Sequence, residues 1–382
     1  MLILVVGGLL GAFAIAPRLW LSHALFVPIP VNAWPLHVPA PFDAIVLAVL
    51  VVLLLPLPFL RRPRMLLLAW LALFLVRSAW DVAAWQPYFI QYACILGALA
   101  CIKPGIADDR SRGALNVARL VVIGGYFWAG VAKIDARFIN DIAPIMLEPI
   151  VRPFGIALPA WSGALVPAAE VAIALMLASR RLRTLGIIGA LATHAIILWS
   201  IGPLGMGVQA IVWPWNLALA GLVVALFHGD RVTRPQDLLW TRGLPVHAIA
   251  VVLFVIVPAA SYVVPIEPYL AQRVYSSKIH EGELIMSDAV VAGLPARSRE
   301  ALDPMAVRVK GGVSVRIAAW VESDLGAYLS PSAASYRHVA RNACRLAASD
   351  DEVVLELIDP PDWRTGEITR HRLTCKELEA GR

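Results

Sequence analysis

The sequence predicts an all-α polytopic membrane bundle of about nine spans, N-terminus in and C-terminus out, followed by a small extracytoplasmic α+β domain. Three observations carry this. Hydrophobic residues make up 59% of the 382 residues and charged residues only 16%, against about 45–50% and about 25% in soluble domains. The apolar residues come in blocks of 16–24, long enough to cross a ~30 Å hydrocarbon layer as helices. Those blocks stop near Pro265, after which the composition is ordinary. The chain therefore divides into a membrane domain, 1–265, and an outer domain, 266–382. Such a composition excludes a soluble globular protein, a disordered chain and a disulfide-stapled mini-protein.

Taken in order, the spans read as about 1–17, 42–60, 65–80, 86–102, 114–134, 159–178, 184–202, 205–228 and 244–265. The first has no Lys or Arg before it and is followed by Pro17, so it reads as a retained helix rather than a cleaved signal. The loops set the orientation. Arg61, Arg62, Arg64, Lys103, Arg110, Arg112, Arg180, Arg181, Arg183, Arg231, Arg234 and Arg242 fall on one side; Arg18, Arg137 and Arg152 fall on the other. Basic residues concentrate in cytoplasmic loops, which puts residues 266–382 outside an inner or plasma membrane. The net charge of +6 is thus topological: residues 1–265 carry +8 and residues 266–382 carry −2. Nucleic acid is not an expected partner; the lipid bilayer is.

Between the fifth and sixth spans, residues 135–158 read as a one-sided helix at the outer interface, from Phe138, Ile139, Ile142, Ile145, Met146 and Ile150. In the outer domain, alternation predicts a hairpin of 306–309 and 313–321 around Gly311-Gly312. Ser330-Pro331 then predicts the start of a helix running to about Ala348. A second hairpin is expected from 352–358 and 367–374, around Pro360, Pro361 and Gly366. His280, His338 and His371 look isolated. Cys344 and Cys375 share an oxidising compartment and make a disulfide pair candidate.

Function is sought among polar groups inside the spans, because an ionisable side chain there costs at least ~2.5–3.5 kcal/mol. These are Arg77, Asp81, Arg119, Lys133, Glu170 and His194, with neutral Gln91 and Asn216. Arg77 and Asp81, four apart, read as a self-neutralising pair. Arg119, Tyr126 and Lys133 recur every seven residues on one face, Lys133 lying ~21 Å outward of Arg119. Gly124, Gly125, Ala129 and Gly130 keep that helix slim. Lys133 taken alone is read either as a functional amine or as a side chain snorkelling to the outer surface. Counted from the outer ends of their spans, Glu170 lies ~16 Å and His194 ~12 Å deep. Trp213-Pro214-Trp215-Asn216 falls at the same level, with Pro214 expected to kink its helix. This level reads either as a polar pocket or as a structural hydrogen-bond network. Cys94 and Cys101 share a face, as core residues or as a thiol pair of a DoxX-like thiol–quinone protein. No metal-ligand spacing, P-loop or dinucleotide fingerprint is present.

The run from Arg119 through Tyr126-Phe127-Trp128-Ala129-Gly130-Val131-Ala132-Lys133-Ile134-Asp135 resembles the signature helix of the vitamin K-dependent γ-glutamyl carboxylase family, which includes the bacterial HTTM group. Glu170, Thr193-His194, 198–202 and Trp213-Pro214-Trp215-Asn216 resemble the family's sequence beyond that helix, so the likeness covers about residues 60–270. The resemblance implies a lyase-type enzyme at the outer membrane face, with Lys133 as the base toward a reduced quinone, a vitamin K-like hydroquinone. O2 and CO2 would be co-substrates, and an extracytoplasmic peptide or protein the acceptor. Lys133, His194 and Glu170 are then the expected catalytic residues. Arg119, Tyr126, Gly130, Trp213 and Asn216 are expected in the substrate or quinol pocket. Ala132 stands where the family has a second lysine, and no His precedes the helix at 101–109. The alternative reading is a non-catalytic scaffold or anchor for an extracytoplasmic partner.

Overall fold

Satisfying backbone hydrogen bonds within a single segment is what makes an apolar run fold as a helix, and the long apolar runs here do so. The computed structural model describes residues 1–21, 40–102, 109–229, 234–240, 244–362 and 367–380. Lys103, Arg231, Arg242 and Gly366 lie outside the described residues, as does the side chain of Arg110. The helices of the apolar part are α1 (Leu2–Ile15), α2 (Phe42–Leu54), α3 (Arg64–Trp80), α4 (Pro87–Ala100), α5 (Asp109–Ala132), α6 (Ala143–Val151), α7 (Leu165–Ala178), α8 (Arg183–Ile201), α9 (Trp213–Phe227), α10 (Pro235–Leu239), α11 (Pro245–Val251) and α12 (Val257–Ala260). A π-helical turn, Val252–Ile256, joins the last two.

Among the described residues, five segments are long and apolar enough to cross a membrane: Phe42–Phe59, Ser111–Ala132, Trp161–Ala178, Arg183–Ile201 and Ala210–Phe227. Shorter apolar helices are Leu2–Ile15, Pro87–Ala100 and Pro245–Ala260. The protein is therefore a mostly helical membrane protein with a small antiparallel sheet at its C-terminal end. Two compact units divide it. The first comprises Met1–Ile15, Ala48–Val76 and Trp85–Ser277; the second comprises Ala16–Leu47, Arg77–Ala84 and Lys278–Arg382.

In the first unit α5 is the hub, packed against α4, α7, α9 and α11, while α8 packs against both α7 and α9. Gly130 explains the tight α5–α7 approach. A Cβ there would meet the Pro167 carbonyl at 2.9 Å, Val171 at 2.8 Å and the Glu170 Cβ at 3.0 Å. The segment after α5 forms a π-turn, Phe138–Ile142, running into α6, with Phe138 buried and Ile145 exposed. Pro214 does not kink a helix interior. It sits in the first turn of α9, where its missing N–H costs nothing.

The sheet of the second unit runs β2-β3-β1-β4-β5, all antiparallel. Its strands are β1 (Glu281–Ser287), β2 (Val307–Val309), β3 (Gly312–Arg316), β4 (Val353–Ile358) and β5 (Arg370–Thr374). Helices α13 (Asp288–Gly293), α14 (Ala296–Leu302), α15 (Ile317–Leu325), α16 (Ala333–Cys344) and α17 (Cys375–Ala380) complete it. Leu284, Met286, Val313, Val315, Val353 and Leu355 bury one sheet face, and α15 and α16 pack on the sheet with Trp320, Val321, Tyr336 and Val339 in the core. Both expected hairpins form, the first around Gly311 at φ 78°. The first is shorter than alternation implied. Its second strand stops at Arg316, because Ile317, Trp320, Val321 and Asp324 bury at helical spacing. Ser332, not Ser330, caps α16, its Oγ accepting from the Ser335 N–H at 3.3 Å. The central strand β1 was not anticipated, although Leu284 and Met286 alternate within it.

Candidate functional site

The heptad face of α5 distributes three polar side chains to three different partners. Nearest the start of α5, Arg119 Nε donates to the Leu226 carbonyl at 2.9 Å and Nη1 donates to Asn116 Oδ1 at 2.8 Å. Arg119 therefore pins α5 to the end of α9 and takes no part in a pocket with Lys133. One heptad on, the Tyr126 hydroxyl lies 2.5 Å from His194 Nε2 on α8. His194 Nδ1 lies 2.9 Å from Asn216 Oδ1 on α9, and Asn216 Nδ2 donates to the Val212 carbonyl at 2.9 Å. One heptad further, just past the end of α5, Lys133 Nζ donates to Glu170 Oε1 and Oε2 at 2.7 and 2.6 Å.

Lys133 does not snorkel. It is only 5% exposed and Glu170 only 7%. Its ammonium lies 5.9 Å from the centre of the Phe138 ring. Ionic groups this deep persist when each charge has a partner. Glu170 joins Lys133 rather than His194 because Ala160–Ala164 form a separate 3-10 turn and α7 starts only at Leu165. Glu170 thus sits in the second turn of its helix, nearer the end of α5 than the span count implied.

Of the buried side-chain atoms without a hydrogen-bond partner among the described residues, two are oxygens of the segments that follow α5 and precede α7: Asp135 Oδ2 and Ser162 Oγ. The other Asp135 oxygen accepts from the Phe138 N–H at 2.8 Å. The turn holding Ser162 packs on the Phe138–Ile142 turn, so both oxygens belong to the corner beyond the end of α5. Sequence reasoning missed them. Asp135, two residues from Lys133, was the available signal.

The remaining candidates separate. Trp213 Nε1 donates to the Val208 carbonyl at 3.1 Å, within its own turn. Gln91 Oε1 accepts from Trp215 Nε1 at 3.1 Å. Cys94 is buried and Cys101 half-buried, both as free thiols. Cys344 and Cys375 are joined by a disulfide, Cα–Cα 5.7 Å. Arg77 and Asp81 pair at 2.6 Å, with Trp20 and Trp80 rings 5.4 and 5.7 Å from the guanidinium. His280 and His371 are not isolated: their Nε2 atoms lie 3.6 and 2.8 Å from the two oxygens of Asp359. Asp324, fully buried, accepts from Arg18 at 2.6 Å and from Ser298 at 2.7 Å. Among the described residues, no group of three or more His, Cys, Asp or Glu is placed to hold a metal ion.

Chemically, the first unit thus offers a buried ammonium–carboxylate pair and, beside it, a phenol–imidazole–amide chain. Comparison of the chain with protein-family models, with curated proteins and with solved structures gave no match.

Proposed function

We propose that this chain is a multi-span membrane enzyme of the HTTM and vitamin K-dependent carboxylase type, acting at the outer membrane face with Lys133 as its base. In this reading the spans number about nine, the basic loops face the cytoplasm and the C-terminal sheet domain faces outward. The basic-residue asymmetry of the loops supports that orientation.

The observation that carries the reading is the burial of Lys133 against Glu170 beside a corner that holds two unpartnered oxygens. A buried amine with a defined proton acceptor is poised for acid–base work, whereas an amine in bulk water is not. A hydroquinone fits that corner by donor and acceptor type. Asp135 Oδ2 would accept one ring hydroxyl and Ser162 Oγ would donate to or accept from another. When bound, the hydroquinone supplies, with O2, the strong base that carboxylation needs. The chain's own part is to hold the hydroxyls, to exclude water around Lys133 and to take a proton at Nζ or at Glu170.

The test is binding of menadiol, a reduced naphthoquinone, to the full-length protein in lipid nanodiscs. Wild type is compared with the double variant Lys133→Met/Glu170→Gln, which removes both charges and leaves no lone ion. Retained helical circular dichroism with at least a tenfold loss of affinity supports the reading. Equal binding by the two proteins, or none by wild type, ends it.

A second reading, a non-catalytic membrane scaffold, is favoured by one observation. Lys133, Glu170, Tyr126, His194 and Asn216 are all satisfied by one another, as in networks that only hold helices together. It is supported if wild type binds no menadiol while His194→Ala and Glu170→Gln lower thermal stability.

A further inference from the structure

In the sheet of the second unit, the hydrogen-bond ladder leaves one backbone edge open beside an apolar surface. The Asp288 N–H donates to the Gly311 carbonyl at 3.3 Å, and the Ser287 N–H to the Glu352 carbonyl at 2.8 Å. With Ser287 opposite Gly312, these bonds set the phase of the ladder: Met286 with Val313 and Leu284 with Val315 exchange backbone bonds. Gly312 and Ser314 turn theirs the other way, to Val309 and Val307 of β2. Among the described residues no strand lies beyond β2, so the N–H and C=O of Arg308 point out of the sheet edge. On the face opposite the core, Val307 is 64% and Val309 39% exposed. Just before β2 the chain leaves the edge, because the Met305 and Ala306 N–H groups both donate to the Leu302 carbonyl, at 2.9 and 3.0 Å. There a cleft of about 500 Å3 opens, its apolar wall made by Met305, Val307, Val315 and Ala319.

Three cations flank this edge. Arg308 is on β2 itself, Lys310 in the turn after it, and Arg316 at the end of β3 on the wall of the cleft. Lys310 and Arg316 are exposed and make no ion pair among the described residues. Arg308 uses Nη1 alone, donating to Asp288 Oδ1 at 2.6 Å on the β1 side. Its other N–H groups remain for a carboxylate on the outer side. Glu283, also on the cleft, is already engaged by the Ser314 hydroxyl. We propose that the β2 edge docks an extended acidic segment of a partner protein. The segment adds a sixth, antiparallel strand to the five present, its backbone exchanging both hydrogen bonds with Arg308. Alternation places an acidic side chain directly opposite Arg308 and apolar side chains on either side of it, against Val307 and Val309. Two residues further on, the next side chain of that apolar face reaches the cleft at Met305. The inference does not depend on the reading of Lys133 as a base.

A second copy of the chain does not match this edge. β2 laid against β2 sets Arg308 opposite Arg308, and β5 laid against β2 brings Arg370 and Arg372 to the same cations; like charges directly opposite destabilise a strand pair. A charged edge strand by itself serves to prevent pairing. An edge built only for that has no need of two uncovered valines beside an apolar cleft.

The experiment is fluorescence anisotropy with full-length protein in lipid nanodiscs and a labelled peptide, Thr-Val-Glu-Val-Thr-Leu, blocked at both ends. This peptide puts Glu opposite Arg308 and Leu at the cleft. Saturable binding is expected, weaker by about fivefold or more when Lys replaces the Glu. The preference should invert in Arg308→Glu, a change at an exposed side chain that leaves the circular dichroism unaltered. N-methylation of the peptide's Glu removes the N–H that faces the Arg308 carbonyl and should cost about tenfold or more. N-methylation of the Val that follows, whose N–H faces away from β2, should cost far less. No binding by wild type, equal binding of the Glu and Lys peptides, or equal effects of the two methylations overturns the proposal. A disulfide-linked dimer of Arg308→Cys overturns it too, by giving the edge to a second copy.

Discussion

Lys133 and Glu170 make the sharpest stability prediction, because both charges are buried and each is the other's partner. Their N–O distances of 2.6–2.7 Å correspond to an attraction of about 4–6 kcal/mol at an effective dielectric of ~20 and a charge separation of ~3–4 Å. Much of that offsets desolvation, so the informative quantity is the penalty for breaking the pair. Lys133→Met strands a carboxylate and Glu170→Gln strands an ammonium. Each should cost about 3–5 kcal/mol, the usual loss when one partner of a buried pair is removed. The double variant strands nothing and should cost less than either single change, giving a coupling energy larger than about 3 kcal/mol. The assay is unfolding in mixed micelles followed by tryptophan fluorescence, for which the 13 Trp give ample signal. Additive costs, or singles milder than the double, would refute the argument that these charges are buried together.

Three further outcomes rest on the packing. Gly130→Ala should destabilise by about 1–3 kcal/mol through overpacking against Pro167, Glu170 and Val171; Gly7→Ala, which meets no atom within 4 Å, is the helix control and should be neutral or slightly stabilising in the same melt. The Cys344–Cys375 bridge spans 31 residues, for which loop-closure entropy gives about 3–4 kcal/mol; reductant should lower the unfolding midpoint of the wild type and leave Cys344→Ser/Cys375→Ser unchanged. Burial holds the His280 imidazole below the ordinary histidine range, against the opposing pull of Asp359. The unfolded chain then takes up the proton first, so this contribution is full above about pH 6.5 and is lost as pH falls below it. His280→Gln should flatten that part of a stability–pH profile, and an unchanged slope would exclude His280 as its source.

Much of the bundle was legible because apolar block length is a direct reading of the bilayer. Helical rise is fixed, so distances along one helix were legible, but rotation about the axis and the true helix start, and with it the depth of Glu170, were not. Counting from residue 159 put Glu170 beside His194. The 3-10 turn Ala160–Ala164 takes up those first residues, and Glu170 comes level with Lys133 instead. The heptad of Arg119, Tyr126 and Lys133 was visible as one stripe, yet a stripe does not say how many neighbours it meets; three helices receive its three side chains. In the sheet domain, alternation located β3 but could not show that burial switches to helical spacing at Ile317. The two histidines beside Asp359 come from separate strands and loops, a juxtaposition that needs the β4–β5 register.

The completeness of the buried network is what separates the two functional readings physically. A network built only for stability has no reason to leave oxygens unsatisfied, because each costs about 1–3 kcal/mol when buried. Lys133 and Glu170 satisfy one another, whereas Asp135 Oδ2 and Ser162 Oγ, in the segments flanking the α5–α7 junction, have no partner among the described residues. If those oxygens await a hydroxylated ligand, menadiol should stabilise wild type in proportion to RT ln(1 + [L]/Kd), about 2.7 kcal/mol at a hundredfold excess over Kd. Asp135→Asn with Ser162→Ala should abolish that gain, because the first change puts an amide N–H2 where the carboxylate would accept and the second removes the hydroxyl. Undiminished stabilisation of that double variant by menadiol would refute the assignment and favour the scaffold.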